Sequence, residues 1–256
     1  MPFLNLADAR LYWKRDGRDN APVLVLLNSI GTDMDLWDGT LAHLREHFAL
    51  IRLDARGHGA STAEPGDLAL ATLASDVLAV ADAAGFDRFS VAGVSLGGMV
   101  GMELAIGSPE RLDKLALVCT SAAMDSKAWQ DRVSKVRNEG MAAIADLAMG
   151  RFLSEQAEPA IRETIRGQLL SMEAEGYAAC GAAIRDMNLA SRLSAIACPT
   201  LVVTGTRDTS TPFLGHGEHL LSSIPGSTHV EIEAAHLAPL EAPEALSEVL
   251  VSFLKA

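Results

Sequence analysis

A serine set between small residues, followed far downstream by an acid and then a histidine, is the main chemical signal in this chain. Residues 89–98 read Phe-Ser-Val-Ala-Gly-Val-Ser-Leu-Gly-Gly, so Gly93-Val94-Ser95-Leu96-Gly97 sits between an apolar strand and a small-residue helix. A Gly-x-Ser-x-Gly run in that context predicts a sharp turn that lifts the Ser95 hydroxyl above a sheet, beside a helix N-terminus. A serine hydroxyl is a weak nucleophile at neutral pH and needs a base, itself oriented by an acid. Two later strand-like runs supply both. Leu201-Val202-Val203-Thr204-Gly205-Thr206-Arg207-Asp208 places Asp208 just past one strand, and Thr228–Ile232 leads to His236 past the next. The chain order Ser, Asp, His suits nucleophilic acyl transfer on a doubly wound sheet.

Other residues of the same types have competing readings. Glu233 is the rival acid, but it lies three residues before His236 and would struggle to reach the far ring nitrogen. His229 falls inside a strand, His43 and His47 lie on the first helix, and His216 and His219 are expected on a solvated helix face. His58, within Asp54-Ala55-Arg56-Gly57-His58-Gly59-Ala60-Ser61, is expected to brace a loop. A hole for a tetrahedral oxyanion needs two backbone N–H groups. Leu96 would give one, and Ile30, in the loop Asn28-Ser29-Ile30-Gly31-Thr32-Asp33, the other.

The elements that must position these groups follow from hydrophobic periodicity. Val23–Leu27, Leu50–Leu53, Phe89–Val94, Leu115–Cys119, Leu201–Thr204 and Thr228–Ile232 read as strands, the middle ones continuously apolar as in a buried parallel sheet. Thr72–Ala84 and Met99–Ile106 read as helices between them, and Arg10–Lys14 followed by Asp16-Gly17 as an antiparallel hairpin at one edge. Loops at the carboxyl ends of parallel strands share a crevice, so Ser95, Asp208 and His236 can meet. The alternation stops after Ser121. Trp129–Val136, Met141–Leu153, Pro159–Leu170 and Tyr177–Met187 are amphipathic without an intervening strand. The expected architecture is therefore α/β: a doubly wound, mostly parallel sheet from residues 1–121 and 196–256, with a helical lid at 122–195 inserted over the strand ends.

With 256 residues, one such domain can bury a full core. The net charge of −12 argues against nucleic acid or an anionic membrane surface as partner. Cys119, Cys180 and Cys198 are odd in number and show no metal-ligand spacing, as in a reduced cytoplasmic compartment. The first eight residues carry no signal-peptide pattern, and no apolar run reaches a membrane span. The expectation is a soluble cytoplasmic protein with no metal.

Taken together, these segments resemble the α/β-hydrolase superfamily over nearly the whole chain, and within it the 3-oxoadipate enol-lactonases. The resemblance lies in Asn28-Ser29-Ile30-Gly31-Thr32-Asp33 with Trp37-Asp38, in Arg52-x-Asp54-x-Arg56-Gly57-His58-Gly59-Ala60-Ser61, and in the serine segment through Met102. It extends to Trp129-x-x-Arg132-x-x-x-Val136-Arg137-x-x-Gly140-Met141 and Cys180-x-x-Ala183-Ile184-Arg185-Asp186-Met187 in the lid. Many relatives carry His-Gly where this chain has Asn28-Ser29. The resemblance implies a Ser95–Asp208–His236 triad and cofactor-free hydrolysis of a carboxylate-bearing lactone, 3-oxoadipate enol-lactone, through an acyl-enzyme, in the bacterial breakdown of aromatic acids. Ser29, Trp129, Arg132 and Arg185 are then the expected substrate contacts, with Arg137 a further candidate for the carboxylate. A broad carboxylesterase, a carbon–carbon bond hydrolase or a ligand receptor on the same fold are the alternatives.

Overall fold

The computed structural model describes residues 3–255. Nine strands form one sheet: β1 (Phe3–Asn5), β2 (Ala9–Gly17), β3 (Val23–Leu27), β4 (Ala49–Leu53), β5 (Thr62–Ala63), β6 (Phe89–Val94), β7 (Leu112–Val118), β8 (Thr200–Gly205) and β9 (Thr228–Ile232). Their spatial order is β1-β2-β4-β3-β6-β7-β8-β9, with β5 paired to β2. Pairing is parallel from β4 through β9 and antiparallel where β2 meets β1, β4 and β5. Among the described residues ten α-helices run in chain order: α1 (Asp38–Leu44), α2 (Leu70–Ala83), α3 (Leu96–Gly107), α4 (Ser126–Glu139), α5 (Ala145–Phe152), α6 (Pro159–Ser171), α7 (Ala174–Asp186), α8 (Glu218–Ser223), α9 (Ala238–Glu241) and α10 (Pro243–Lys255). Among the described residues no helix is long and apolar enough to cross a membrane.

Every residue of β4, β6 and β8 is buried, which is why these segments carry apolar runs without alternation. The strand order reverses between β3 and β6: the chain builds outward from β3 to β4, then returns to add β6 on the other side. In open α/β sheets that reversal opens a crevice beyond the carboxyl ends of the strands. Here Leu27 pairs with Gly93, so the loop leaving β3 starts beside the turn leaving β6.

The antiparallel edge forms, but its hairpin differs from the expected one. β2 continues through Asp16 to Gly17 and pairs with β4, not with the strand that follows it. The tight connection lies earlier, between β1 and β2, where Leu6 N–H donates to the Ala9 carbonyl at 2.8 Å. An Asp-Gly pair specifies a turn only when the next strand comes back alongside, and here β4 had already taken that place.

Between β7 and β8 the chain runs through α4–α7. This insertion leaves and returns through an antiparallel bridge of Ala123 with Asn188, reinforced by Leu189 N–H on the Ala122 carbonyl at 2.8 Å. The turn at 190–195 that follows lies on the core side, where Arg192 pairs with Glu103 of α3 at 2.8 Å. α4 starts on the Asp125 carboxylate, which caps Ala128 N–H, and stops at Gly140, whose φ of 78° breaks the helix. Its buried face is Trp129, Val133 and Val136. Met141–Leu153 is not one helix: a tight 3₁₀ turn at Met141–Ala143 precedes α5.

The insertion rests on the loops that carry chemistry. A Cβ on Gly57, after β4, would lie 2.4 Å from the α-carbon of Gly176 on α7, so backbone packs against backbone there. At the other end Leu237 N–H donates to the Phe152 carbonyl at 3.0 Å.

Candidate active site

Ser95 sits at φ 53°, ψ −115°, a strained geometry for a residue with a side chain. Such conformations cost about 1–3 kcal/mol and persist only where surroundings over-determine them. The surroundings are explicit. Ser95 N–H donates to the Val118 carbonyl at 3.0 Å, and its own carbonyl accepts from Thr120 Oγ1 at 2.6 Å. A Cβ on Gly93 would fall 2.3 Å from the Gly97 carbonyl carbon, and one on Gly97 would fall 2.4 Å from the Leu27 oxygen. A larger residue at Gly93 would push the start of α3 away from β6, and one at Gly97 would push α3 away from the end of β3.

Ile30 and Leu96 are buried, and neither backbone N–H donates to an acceptor among the described residues. Buried unpaired donors are costly, and a pair of them near a serine hydroxyl is what stabilising an oxyanion would require. The loop bearing Ile30 is held from all sides. Gly97 N–H donates to the Asn28 carbonyl at 3.0 Å, and Asn28 Nδ2 donates to the Leu53 carbonyl at 2.8 Å. Asp54 accepts from Met34 N–H and Ala60 N–H, both at 2.8 Å. Burial pushes the Asp54 carboxyl up to about 6 despite these donors.

His58 braces the same loop. Gly31 N–H donates to His58 Nε2 at 3.0 Å, which places the ring proton on Nδ1, 3.0 Å from the Arg56 carbonyl. Burial lowers the His58 pKa below its ordinary value. The unfolded chain therefore takes up this proton first as pH drops, so the stability His58 contributes is full above about pH 6.5 and declines below it. The wild-type advantage in thermal midpoint over His58→Gln should accordingly shrink between about pH 7.5 and 5. An advantage that grows on acidification would show that the ring is charged in the folded state.

His236 Nδ1 lies 3.0 Å from Asp208 Oδ2, and both side chains are almost wholly buried. Asp208 Oδ1 accepts from Ser210 N–H at 2.7 Å and Thr211 N–H at 3.2 Å, and Oδ2 accepts from Thr211 Oγ1 at 2.8 Å. Burial opposes ionisation of Asp208, but His236 and the Thr211 donors outweigh it and hold the carboxyl down to about 2. Glu233 is instead exposed and paired with Arg207 at 2.8 Å. His229 hydrogen-bonds Thr204 Oγ1 at 2.8 Å inside β9. His216 departs from the expected solvated face: it is half-buried, with Nδ1 2.8 Å from Ser121 Oγ.

Ser95 and His236 line one small cavity with Ile30, Met99, Trp129 and Arg132. The space left there is about 20 Å³, enough for a water molecule. Arg132 lies over the Trp129 ring at 4.6 Å, and its Nη1 is 3.5 Å from the Tyr177 hydroxyl. Arg185 does not join them. It is held outside by Asp67 at 2.8 Å, by Asp186 and by Gln130, and Arg137 is likewise taken by Asp67 and Glu175. Ser29 is buried beneath the loop, its Oγ 3.4 Å from the Ile30 carbonyl, and does not line the cavity.

Several residues at the site escaped the sequence reading. Arg151 lines the cavity, and the Phe152 ring lies near-parallel to the His236 imidazole at 6.2 Å. Glu241 is buried and accepts from Ala235 N–H at 3.0 Å and Ser154 N–H at 2.6 Å, tying the histidine loop to the end of α5. Only Thr211 had a local signal, as a hydroxyl three residues after an aspartate. Among the described residues no group of three or more His, Cys, Asp or Glu could hold a metal ion.

The arrangement could serve acyl transfer: Ser95, His236 and Ile30 line one cavity, the Asp208 carboxylate holds the histidine from behind, and Leu96 follows the serine with its N–H unpaired among the described residues. Comparison with known proteins points the same way. Residues 22–147 match the alpha/beta hydrolase fold family. The chain is 32% identical to 3-oxoadipate enol-lactonase 2 of Acinetobacter baylyi, over 98% of this chain and 96% of that one. Among solved structures it resembles an enol-lactonase from Burkholderia xenovorans LB400, with TM-score 0.96, 34% identity and complete coverage of both chains. A hydrolase from Pseudomonas aeruginosa PA01 aligns with TM-score 0.94 and 40% identity, over 99% of this chain and 98% of that one.

Proposed function

Because this chain is a member of the α/β-hydrolase superfamily, with enol-lactonases among its relatives, we propose that it is a serine hydrolase that opens 3-oxoadipate enol-lactone. The observation that carries this reading is a single one: the cavity that holds Ser95 and His236 also holds Arg132, which forms no ion pair among the described residues. In a chain of net charge −12, an unpaired guanidinium inside an acyl-transfer site suits a substrate that is itself anionic.

The chemistry follows from the geometry. His236, oriented through Nδ1 by Asp208, accepts the Ser95 proton as Oγ attacks the lactone carbonyl. The oxyanion forms against the N–H groups of Ile30 and Leu96. Collapse opens the ring and expels an enolate, which takes up the proton held on His236 to become the enol and returns the imidazole to its neutral form. His236 then activates water to release the acyl group, and the enol product tautomerises to the ketone. The helices α4–α7 serve as the lid that keeps bulk water out. With only about 20 Å³ free, the lid or its side chains must shift to admit a lactone. This reaction belongs to a late stage of aromatic-acid breakdown.

Arg132→Ala should weaken kcat/KM for the carboxylate-bearing lactone by about ten- to a hundredfold, mostly through KM, since a charge-assisted hydrogen bond is worth roughly 1.5–3 kcal/mol. The loss on an uncharged ester should be several times smaller. Equal losses on both would assign Arg132 to the packing of the lid. The function itself is tested by steady-state turnover of enzymatically generated enol-lactone against 4-nitrophenyl acetate. A kcat/KM for the aryl ester that exceeds the one for the lactone would make the protein a carboxylesterase.

A further inference from the structure

Arg151 stands at the end of α5 and lines two spaces at once. One is the cavity of Ser95 and His236. The other is an outer cavity of about 410 Å³ between α4 and α5, which also takes in Lys135, Leu147 and Asp131. Met124, Trp129, Arg132 and Arg151 belong to both, so these four side chains are the partition between them. Moving the two guanidiniums aside would merge a space too small for a lactone with one large enough for a six-carbon acid.

The charges at this partition are out of balance. Elsewhere in the insertion Arg137 holds Glu175 and Asp67, Arg166 holds Asp146 and Arg185 holds Asp67 and Asp186, while Arg162 donates to the Ser154 carbonyl. Arg132 and Arg151 hold no acid among the described residues, though the chain has 33 acids for 21 lysines and arginines. The two carboxylates of the outer cavity are already engaged, Asp125 capping α4 and Asp131 with Lys127. Two like charges facing one space repel, and an anion relieves that repulsion. One guanidinium suffices for one carboxylate. The second needs a second anion.

The reaction produces one. Water cleaves the acyl–Ser95 bond: its hydroxyl goes to the acyl carbon, its proton passes through His236 back to Ser95 Oγ, and the new acid ionises at neutral pH. A monoanionic lactone or half-ester therefore leaves as a dicarboxylate. We propose that Arg151 and Arg132 together form a two-carboxylate site at this partition, Arg132 taking the carboxylate that the substrate brings and Arg151 the one that hydrolysis creates. The site thus favours lactones and half-esters of dicarboxylic acids and draws the product toward the outer cavity. This rests on the serine-hydrolase reading of Ser95, and not on the lactone in particular.

The test is calorimetric titration with hexanedioate and hexanoate, which differ by one carboxylate at equal length. Hexanedioate should bind the wild-type protein about ten- to a hundredfold tighter at low salt, the range expected for one more charge-assisted contact. Arg151→Ala should remove most of that preference, and Arg151→Lys should keep part of it. Arg151→Gln serves if the alanine variant does not fold. The proposal is overturned if the wild type binds both acids equally, if hexanedioate does not bind, or if Arg151→Ala weakens both by the same factor. A lower thermal midpoint with the preference intact also overturns it, since Arg151 would then act only on the end of α5. Failure of enol-lactone turnover with the diacid preference preserved would sink the lactone reading alone.

Discussion

Replacing Ser95 with alanine leaves a folded protein whose hydrolytic turnover falls by several orders of magnitude. Without the nucleophile only the oxyanion donors and binding remain, worth roughly 10³–10⁴ over water. The fold should tolerate the change, because the strained backbone at φ 53° is held by Val118 and Thr120 through main-chain atoms of residue 95, and alanine keeps the Cβ already present. A thermal midpoint close to wild type, together with lost turnover, is the expected pair of measurements. Retention of near-wild-type turnover would mean that Ser95 is not the nucleophile.

Asp208→Asn should lower kcat by about 10⁴ if the precedent of serine proteases holds here, through loss of the His236 tautomer that accepts the serine proton. The geometry adds a stability cost. Ser210 and Thr211 present N–H and O–H donors to Asp208, so an amide nitrogen in place of one oxygen meets donors with a donor. The pH dependence has a definite sign. With the folded carboxyl held near 2, below the ordinary 3.8, Asp208 stabilises the protein fully above about pH 4, and this is lost as pH falls toward 2. Acid unfolding of the asparagine variant should lack that component. Glu233→Gln is the matched control, since Glu233 reaches Arg207 and not His236. If that change were the damaging one, the acid assignment would be wrong.

Local sequence determined much of this protein because its key features are local. The turn at Ser95 needs only an apolar strand, two positions without side-chain bulk and a helix, all contiguous in sequence. The buried strands announced themselves as apolar runs because both faces of the sheet are covered. Asp208 and His236 were legible because strand ends in a parallel sheet share one side. His58 was legible as a brace because its partners lie in loops beside it.

What only the tertiary structure decided depends on contacts between distant segments. Asp16-Gly17 reads as a hairpin, yet β4 lies beside β2, and strand pairing is chosen by the whole sheet. Arg132, Arg137 and Arg185 look alike in sequence, as cations on amphipathic helices. They part company only when Asp67, from the loop before α2, captures two of them and leaves Arg132 at the cavity. Arg151 and Glu241 carry no motif at all; their places come from the way α5 packs against the histidine loop. Periodicity reports which face of an element is buried, but not which partner covers it. A charged side chain takes its role from the nearest opposite charge, and that is set by the fold of the whole chain.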